Sequence, residues 1–298
     1  MNNLQSIFNK IVSISSTSGN ENKMADFILD YLIKRKVDAV QDNVGNVFAK
    51  VPGHGDPIFI SAHMDTVEPG RGIVPRFDDG IFTSSGKTIL GADNKSTIAV
   101  ILHVIDSLSN KTHSPLELLF TVDEENENKG ANNFNYSQLR SKKGLIADVA
   151  LPIGTIILGS PSYFRFDMEF VSKSAHAAFP EKSYPILTFL GEFFSKIKTG
   201  RINENILFNI GFGKFGDSRN TIPGNAIISG EIRSFDELQL RKYYNSFLVQ
   251  VKDLSKNYHS KVKVHTAIDN PAYVFDNQDK NVLEIKKYFY KIRITSNV

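Results

Sequence analysis

The chain has 298 residues, 41% hydrophobic and 22% charged, which supplies a sizeable core and a length that favours two domains. Its net charge of +3 is too small and too scattered to suggest a nucleic-acid or membrane-surface binder, and no apolar run approaches the roughly 18 residues of a membrane span. Cysteine is absent, which excludes thiolate metal sites and cysteine nucleophiles, and residues 1–20 lack the apolar core of a signal peptide, so a cytoplasmic location is expected.

Residues 1–36 read as two helices with a break at 15–20. In the second, Met24, Phe27, Ile28, Tyr31 and Leu32 recur at helical spacing, with Ser18 and Asn20 as capping candidates. Strand-like runs follow at 37–41, 47–51 and 58–62, punctuated by Asp-Asn-Val-Gly and Pro-Gly-His-Gly. A helix is expected at 94–108 and a strongly apolar strand at 116–122. This alternation predicts an α/β layer around a largely parallel sheet.

Beyond residue 160 the pattern changes. Strands at 164–171, 205–212, 226–232 and 261–267 and helices at 186–198 and 235–256 give the order βαββαβ, the ferredoxin-like arrangement of a two-layer domain. Residues 160–270 are therefore expected to form an insertion, with 1–159 and 271–298 making the first domain. The latter segment offers only a helix at 280–290 and a basic end, little for a returning chain.

Four segments of the first domain end apolar runs with acidic or imidazole groups. His63 and Asp65 follow the strand at 58–62; at i and i+2 they share a face, so the carboxylate can accept the far ring N–H of a metal-bound imidazole. Asp93 stands between Gly91 and the next helix, where it can cap that helix or bridge two cations. Asp123, Glu124 and Glu125 follow the strand at 116–122 and repel one another unless cations compensate. On extended backbone the adjacent glutamates would point opposite ways, one to metal and one to water. Asp148 follows a further apolar stretch. Taken alone, the segments at His63 and at 123–125 read as solvated turns and Asp93 as a helix cap, while Asp148 is uninformative by itself. One histidine with several carboxylates at strand ends suits zinc or manganese, and two cations about 3.5–4 Å apart acidify a shared water and polarise a carbonyl.

The segments AHMDTV, TILGADNKS, TVDEEN and SAHAAFPEKS resemble the dizinc metallopeptidase family of peptidase T, aminoacylase and the zinc carboxypeptidases. SISSTSGNE, DNVGNVFAK and HMDTVEPGRG make peptidase T-like members (tripeptide aminopeptidases) the nearest match, over roughly residues 5–270. The resemblance implies a zinc-peptidase-like α/β catalytic domain with an inserted lid that dimerises. By resemblance, His63 binds one zinc with Asp65 behind it, Asp93 bridges both metals, Asp148 completes the first and Glu125 serves the second. Glu124 is then the general base on a metal-activated water. His176 resembles a lid histidine that holds the oxyanion, often across a dimer interface, and Asn220 and Arg233 resemble groups that bind substrate carbonyl and carboxylate. A strand-end ion pair is the plain alternative for Arg233.

The sequence departs from the family where a last histidine ligand of the second metal is expected: no histidine follows His265, and the chain reads as C-terminally shortened. Asn94 replaces a usual acid, and Ser172 and Ala178 replace usual glycines. The expected function is hydrolysis of a short peptide, removal of an N-terminal residue from a tripeptide, by a homodimer joined through the lid, with neither nucleic acid nor membrane as partner. The alternatives are an amidohydrolase acting on N-acyl amino acids and a catalytically silent relative that only binds or dimerises. His54 and His103 read as surface or packing residues and the basic 286–293 as a solvated face.

Overall fold

Helix α1 (Asn3–Val12) opens with a reciprocal cap: Asn2 Oδ1 accepts the Gln5 amide at 2.9 Å, and Gln5 Oε1 accepts the Asn2 amide at 2.8 Å. The computed structural model describes residues 2–108 and 111–296. Its contacts divide the chain into two units, Met1–Leu151 and Pro152–Val298. Residues 271–298, which the sequence pattern sends back to the first domain, thus group with the second unit.

In the first unit α1 is followed by α2 (Asn22–Ile33), β1 (Asp38–Gln41), β2 (Val47–Val51), β3 (Ile58–His63), a hairpin of β4 (Pro75–Asp78) and β5 (Ile81–Ser84), and α3 (Ala92–Ser107). Then come β6 (Leu116–Thr121), the short helices α4 (Glu124–Glu127) and α5 (Lys129–Asn133), and β7 (Gly144–Ile146). The five-stranded sheet has the order β1-β2-β6-β3-β7. Its pairings β3/β6 and β3/β7 are parallel, but β1/β2 and β2/β6 are antiparallel. The expected largely parallel sheet is therefore mixed. The reason lies in the β1–β2 connection, which is too short for a crossover. Asp42 Oδ1 accepts the amides of Val44, Gly45 and Asn46 at 2.9 Å each and closes a hairpin turn.

Every residue of β6 is buried, so it is the centre of the sheet. Ile7 and Ile11 of α1, Met24, Ile28 and Leu32 of α2, and Ile98, Leu102 and Ile105 of α3 pack with Leu118 and Phe120 into one core. Each such side chain contributes about 1.5–3 kcal/mol on burial. The capping expected from Ser18 and Asn20 is not what starts α2: Glu21 stands at the N-cap, and no side chain caps that end. The β4–β5 hairpin, unforeseen, turns at Asp79 and Gly80, whose φ values of 45° and 81° suit a type I′ turn.

The second unit contains β8 (Gly159–Ser160), β9 (Ser162–Val171), β10 (Ala175–His176), α6 (Ile186–Lys196), β11 (Gly200–Arg201) and β12 (Leu207–Phe215). It continues with β13 (Thr221–Ile222), β14 (Asn225–Ser234), α7 (Glu237–Asn257), β15 (Lys261–Asn270), β16 (Tyr273–Val274) and α8 (Lys280–Lys291). Its main sheet, β11-β12-β14-β9-β15, is antiparallel throughout. Leaving aside β11, the chain order is the expected βαββαβ. Phe164, Phe166, Met168 and Phe170 alternate inward along β9 and pack with Phe189 and Phe193 of α6 and Phe247 of α7.

Candidate metal centre

Parallel pairing of β3, β6 and β7 aligns the carboxyl ends of three strands, where ligand sites collect in α/β sheets. His63 closes β3, Glu124 and Glu125 follow β6, and Asp148 follows β7. Thr97 of α3 donates to the Ala147 carbonyl at 2.6 Å, tying the segment that carries Asp148 to the helix that begins beside Asp93.

The His63 side chain is almost fully buried. Its Nδ1 lies 3.0 Å from the Asp65 carbonyl oxygen and 3.2 Å from Asp65 Oδ1. Its Nε2 lies 3.0 Å from Asp93 Oδ1, 3.8 Å from Asp148 Oδ1 and 4.0 Å from Glu124 Oε2. With Nδ1–H directed at Asp65, Nε2 is the nitrogen left to bind a cation.

Asp65 is fully buried and heavily occupied. Oδ1 accepts the Glu124 amide at 3.0 Å, and Oδ2 accepts the Glu125 amide at 3.1 Å and the Ser18 hydroxyl at 2.8 Å. Burial alone would raise its carboxyl, but hydrogen bonds from His63, the two amides and Ser18 hold it below the ordinary carboxylate range. Asp65 is thus an orienting group rather than a free ligand.

The capping role open to Asp93 is not taken up. Gly91 is the N-cap of α3, and Asp93 itself has non-helical backbone angles and turns its carboxylate to His63. The expected extended geometry of residues 123–125 is also corrected. Asp123 is in the left-handed region at φ 54°, and Glu124 starts a helical turn, because backbone donors there are claimed by acceptors outside the strand.

Among the described residues, two sets of ligand atoms that include His63 lie within 4.8 Å of one another: His63, Asp93 and Asp148, and His63, Glu124 and Glu125. The electrostatics of these groups would suit a bound cation. Burial and the Asp148 charge raise Asp93, while the His63 hydrogen bond lowers Asp148. Burial and neighbouring carboxylates raise Glu124 and Glu125. Burial pushes His63 down, but bonding to Asp148 and Asp65 outweighs it and carries the imidazole up to about 11. One imidazole facing four carboxylates is an incomplete balance, and the N/O donor set fits a divalent metal. Asn94 beside it is buried, with Nδ2 lacking a hydrogen-bond partner.

The remaining expected residues lie in the second unit. His176 on β10 pairs with Thr221 of β13, next to Asn220, and the Asn220 carbonyl accepts the Ala177 amide at 2.9 Å. His176 and Asn220 are therefore neighbours. Arg233 is held by Glu231, at 2.9 and 3.3 Å, and lies over the Tyr163 ring at 4.8 Å. This is the ion pair that the sequence left as its plain alternative. Of the residues that hold the site's backbone, Ser18 was legible in the sequence only as a helix cap, and Glu21 and Asn46 had no assigned role.

The profile of peptidase family M28 matches residues 46–151. YqjE of Bacillus subtilis, an uncharacterised protein, is 28% identical, over 96% of this chain and 80% of its own length. A tripeptidase structure from Staphylococcus aureus superposes with a TM-score of 0.93 at 24% identity, covering 99% of this chain and 83% of that one. The aminopeptidase PepT of Bacillus cereus superposes at 0.89 with 26% identity, over 99% and 83%. The chain is thus similar in fold to a tripeptidase and to an aminopeptidase PepT. Against the probable carboxypeptidase of Arthroderma otae, 25% identical, the chain spans 58% of the relative's length. No helix among its described residues is long and apolar enough to cross a membrane.

Proposed function

We propose that this chain hydrolyses short peptides with divalent metal ions, zinc by donor chemistry, and releases the N-terminal residue of a tripeptide. The observation that carries this reading is the convergence of His63, Asp93 and Asp148 with Glu124 and Glu125 at the carboxyl ends of three parallel strands. The tripeptidase and PepT likenesses support the substrate class.

His63 Nε2, Asp93 and Asp148 would hold one cation; Asp93, as a bridge, and Glu125 would serve a second. When bound, such ions polarise the scissile carbonyl and acidify a water. Glu124, whose carboxyl is raised by burial, takes the proton of the attacking water and returns it to the leaving amine. Asp65 keeps the His63 ring oriented throughout. In the βαββαβ unit, which we assign as lid and dimerisation domain, His176 and Asn220 receive the substrate carbonyl. Arg233 receives its carboxylate after exchanging Glu231 for it.

A second reading, binding with little turnover, is favoured by one observation. His63 is the only imidazole in both ligand sets, so the second position has carboxylates alone of its own. Elemental analysis after dialysis against trace zinc, followed by assays on tripeptides and N-acyl amino acids, tests both. Two zincs with tripeptide turnover bear out the proposal. One zinc without turnover supports the second reading, and turnover of acyl amino acids alone would move the substrate class.

A further inference from the structure

The Ser-Thr-Ser-Gly-Asn-Glu stretch before α2 contributes no ligand, yet it runs beside residues 64–66. Ser16 Oγ donates to the Met64 carbonyl at 2.8 Å, the Thr66 amide to Ser16 O at 3.0 Å and the Ser18 amide to Thr66 O at 3.3 Å. This pairing brings Glu21 beneath the turn that follows β6. Glu21 is 5% exposed, and its Oε1 accepts the amides of Asp123 at 2.9 Å and Gly19 at 3.0 Å.

That contact completes a series. The Val122 amide ends on Asn46 Oδ1 at 3.1 Å, the Asp123 amide on Glu21, and the Glu124 and Glu125 amides on the two oxygens of Asp65. Successive backbone donors from 122 to 125 are thus all taken by side-chain oxygens from distant parts of the chain. A four-residue helical turn leaves its first amides without internal partners, so outside acceptors decide where it points.

Glu21 could instead be an ordinary helix cap or part of a metal site. It occupies the N-cap of α2, but its side chain makes no capping bond there. Glu21, Asp65 and Asp123 lie close enough to share an ion, but Glu21 Oε1 and both Asp65 oxygens already accept N–H or O–H donors.

We propose that Glu21 is a positioning residue: by fixing the Asp123 amide it sets, together with Asp65, the direction in which Glu124 and Glu125 leave the turn. The proposal rests on the metallopeptidase reading for its kinetic consequence and on the hydrogen bonds alone for its effect on metal binding.

The test compares Glu21→Ala, Glu21→Gln and Glu117→Ala in the zinc-loaded full chain. Glu117 is a matched control: it too is a buried carboxylate on β6 that accepts backbone amides, those of Arg140 and Ser141 at 2.9–3.0 Å. Its strand neighbours lie toward the opposite end of β6 from the turn. Glu21→Ala should lower kcat about 10- to 100-fold, the usual cost of removing an orienting partner, with little change in KM. Glu21→Gln keeps the acceptor oxygen and should restore kcat, while Glu117→Ala should lower Tm without lowering kcat. Equal kcat losses in the two alanine variants, or none in Glu21→Ala, would overturn the proposal. If the parent cleaves no peptide, the functional reading fails by itself, and zinc affinity by chelator competition decides this one. Glu21→Ala should then bind zinc about 10- to 100-fold more weakly than the parent, and unchanged affinity overturns it. Should Glu21→Ala not fold, Glu21→Asp withdraws the acceptor while keeping the charge and is read in the same way.

Discussion

Asp65 Oδ1 accepts the backbone N–H of Glu124 at 3.0 Å. The same atom lies 3.2 Å from His63 Nδ1, so one oxygen couples the imidazole at the end of β3 to the turn after β6. Asp65→Ala should release both, weakening zinc binding about 10- to 100-fold in a chelator competition. Retention of parental affinity would mean that neither group needs Asp65 for its placement.

Glu124→Gln tests the assigned base. The amide keeps the size and backbone anchor of the side chain but cannot take a proton. Turnover of a tripeptide should fall about 10²- to 10⁴-fold with bound zinc little changed, as judged by steady-state assays beside elemental analysis. A variant with near-parental kcat would remove Glu124 from the reaction.

Without metal, His63 is raised from its ordinary 6.5 to about 11. A folded value above the unfolded one stabilises the fold fully below pH 6.5 and loses that contribution as pH rises towards 11. Zinc must displace the proton. Calorimetric titration at pH 8 in two buffers of different ionisation enthalpy should therefore show about one proton released on filling the first site. Identical heats in both buffers would show that the imidazole was already neutral.

Lys95 is wholly buried and donates to the Ile14 carbonyl at 2.7 Å, and burial draws its ammonium down to about 8. Here the folded value lies below the unfolded one, so at this side chain the unfolded chain holds the extra proton between about pH 8 and 10.5 and the contribution of Lys95 to stability rises across that window. The slope is at most about 1.4 kcal/mol per pH unit for one proton. His63 subtracts stability over the same window in both proteins, so urea unfolding of metal-free parent and Lys95→Met should show the difference between them moving in the parent's favour as pH rises; parallel curves would contradict it.

The clearest parts of the sequence were those whose partners are local. The strand at 47–51 was read to the residue, and α6 and α7 to within two, because apolar periodicity follows from burial on one face. Sheet direction was less legible, since β2 pairs with β6 across most of the unit and nothing local in β2 records it. The β4–β5 turn carried a readable Asp-Gly signal that went unread. His63 and Glu124 announced themselves as polar groups ending apolar strands. Glu21 could not, because its decisive contact is to a residue 102 positions away, and Asn46 meets the Val122 amide from 76 positions away.

His63 and Asp93, whose atoms meet at 3.0 Å, are 30 positions apart, and Asp148 joins them from still further along. A cation held by all three would therefore act as a cross-link, closing long loops that an unfolded chain would leave open. It would pin the short edge strand β7, through the adjoining Asp148, to the centre of the sheet. The outermost strand would owe its place to the ion as much as to its hydrogen bonds, and chelation should expose residues 144–148 to solvent exchange before the rest of the unit.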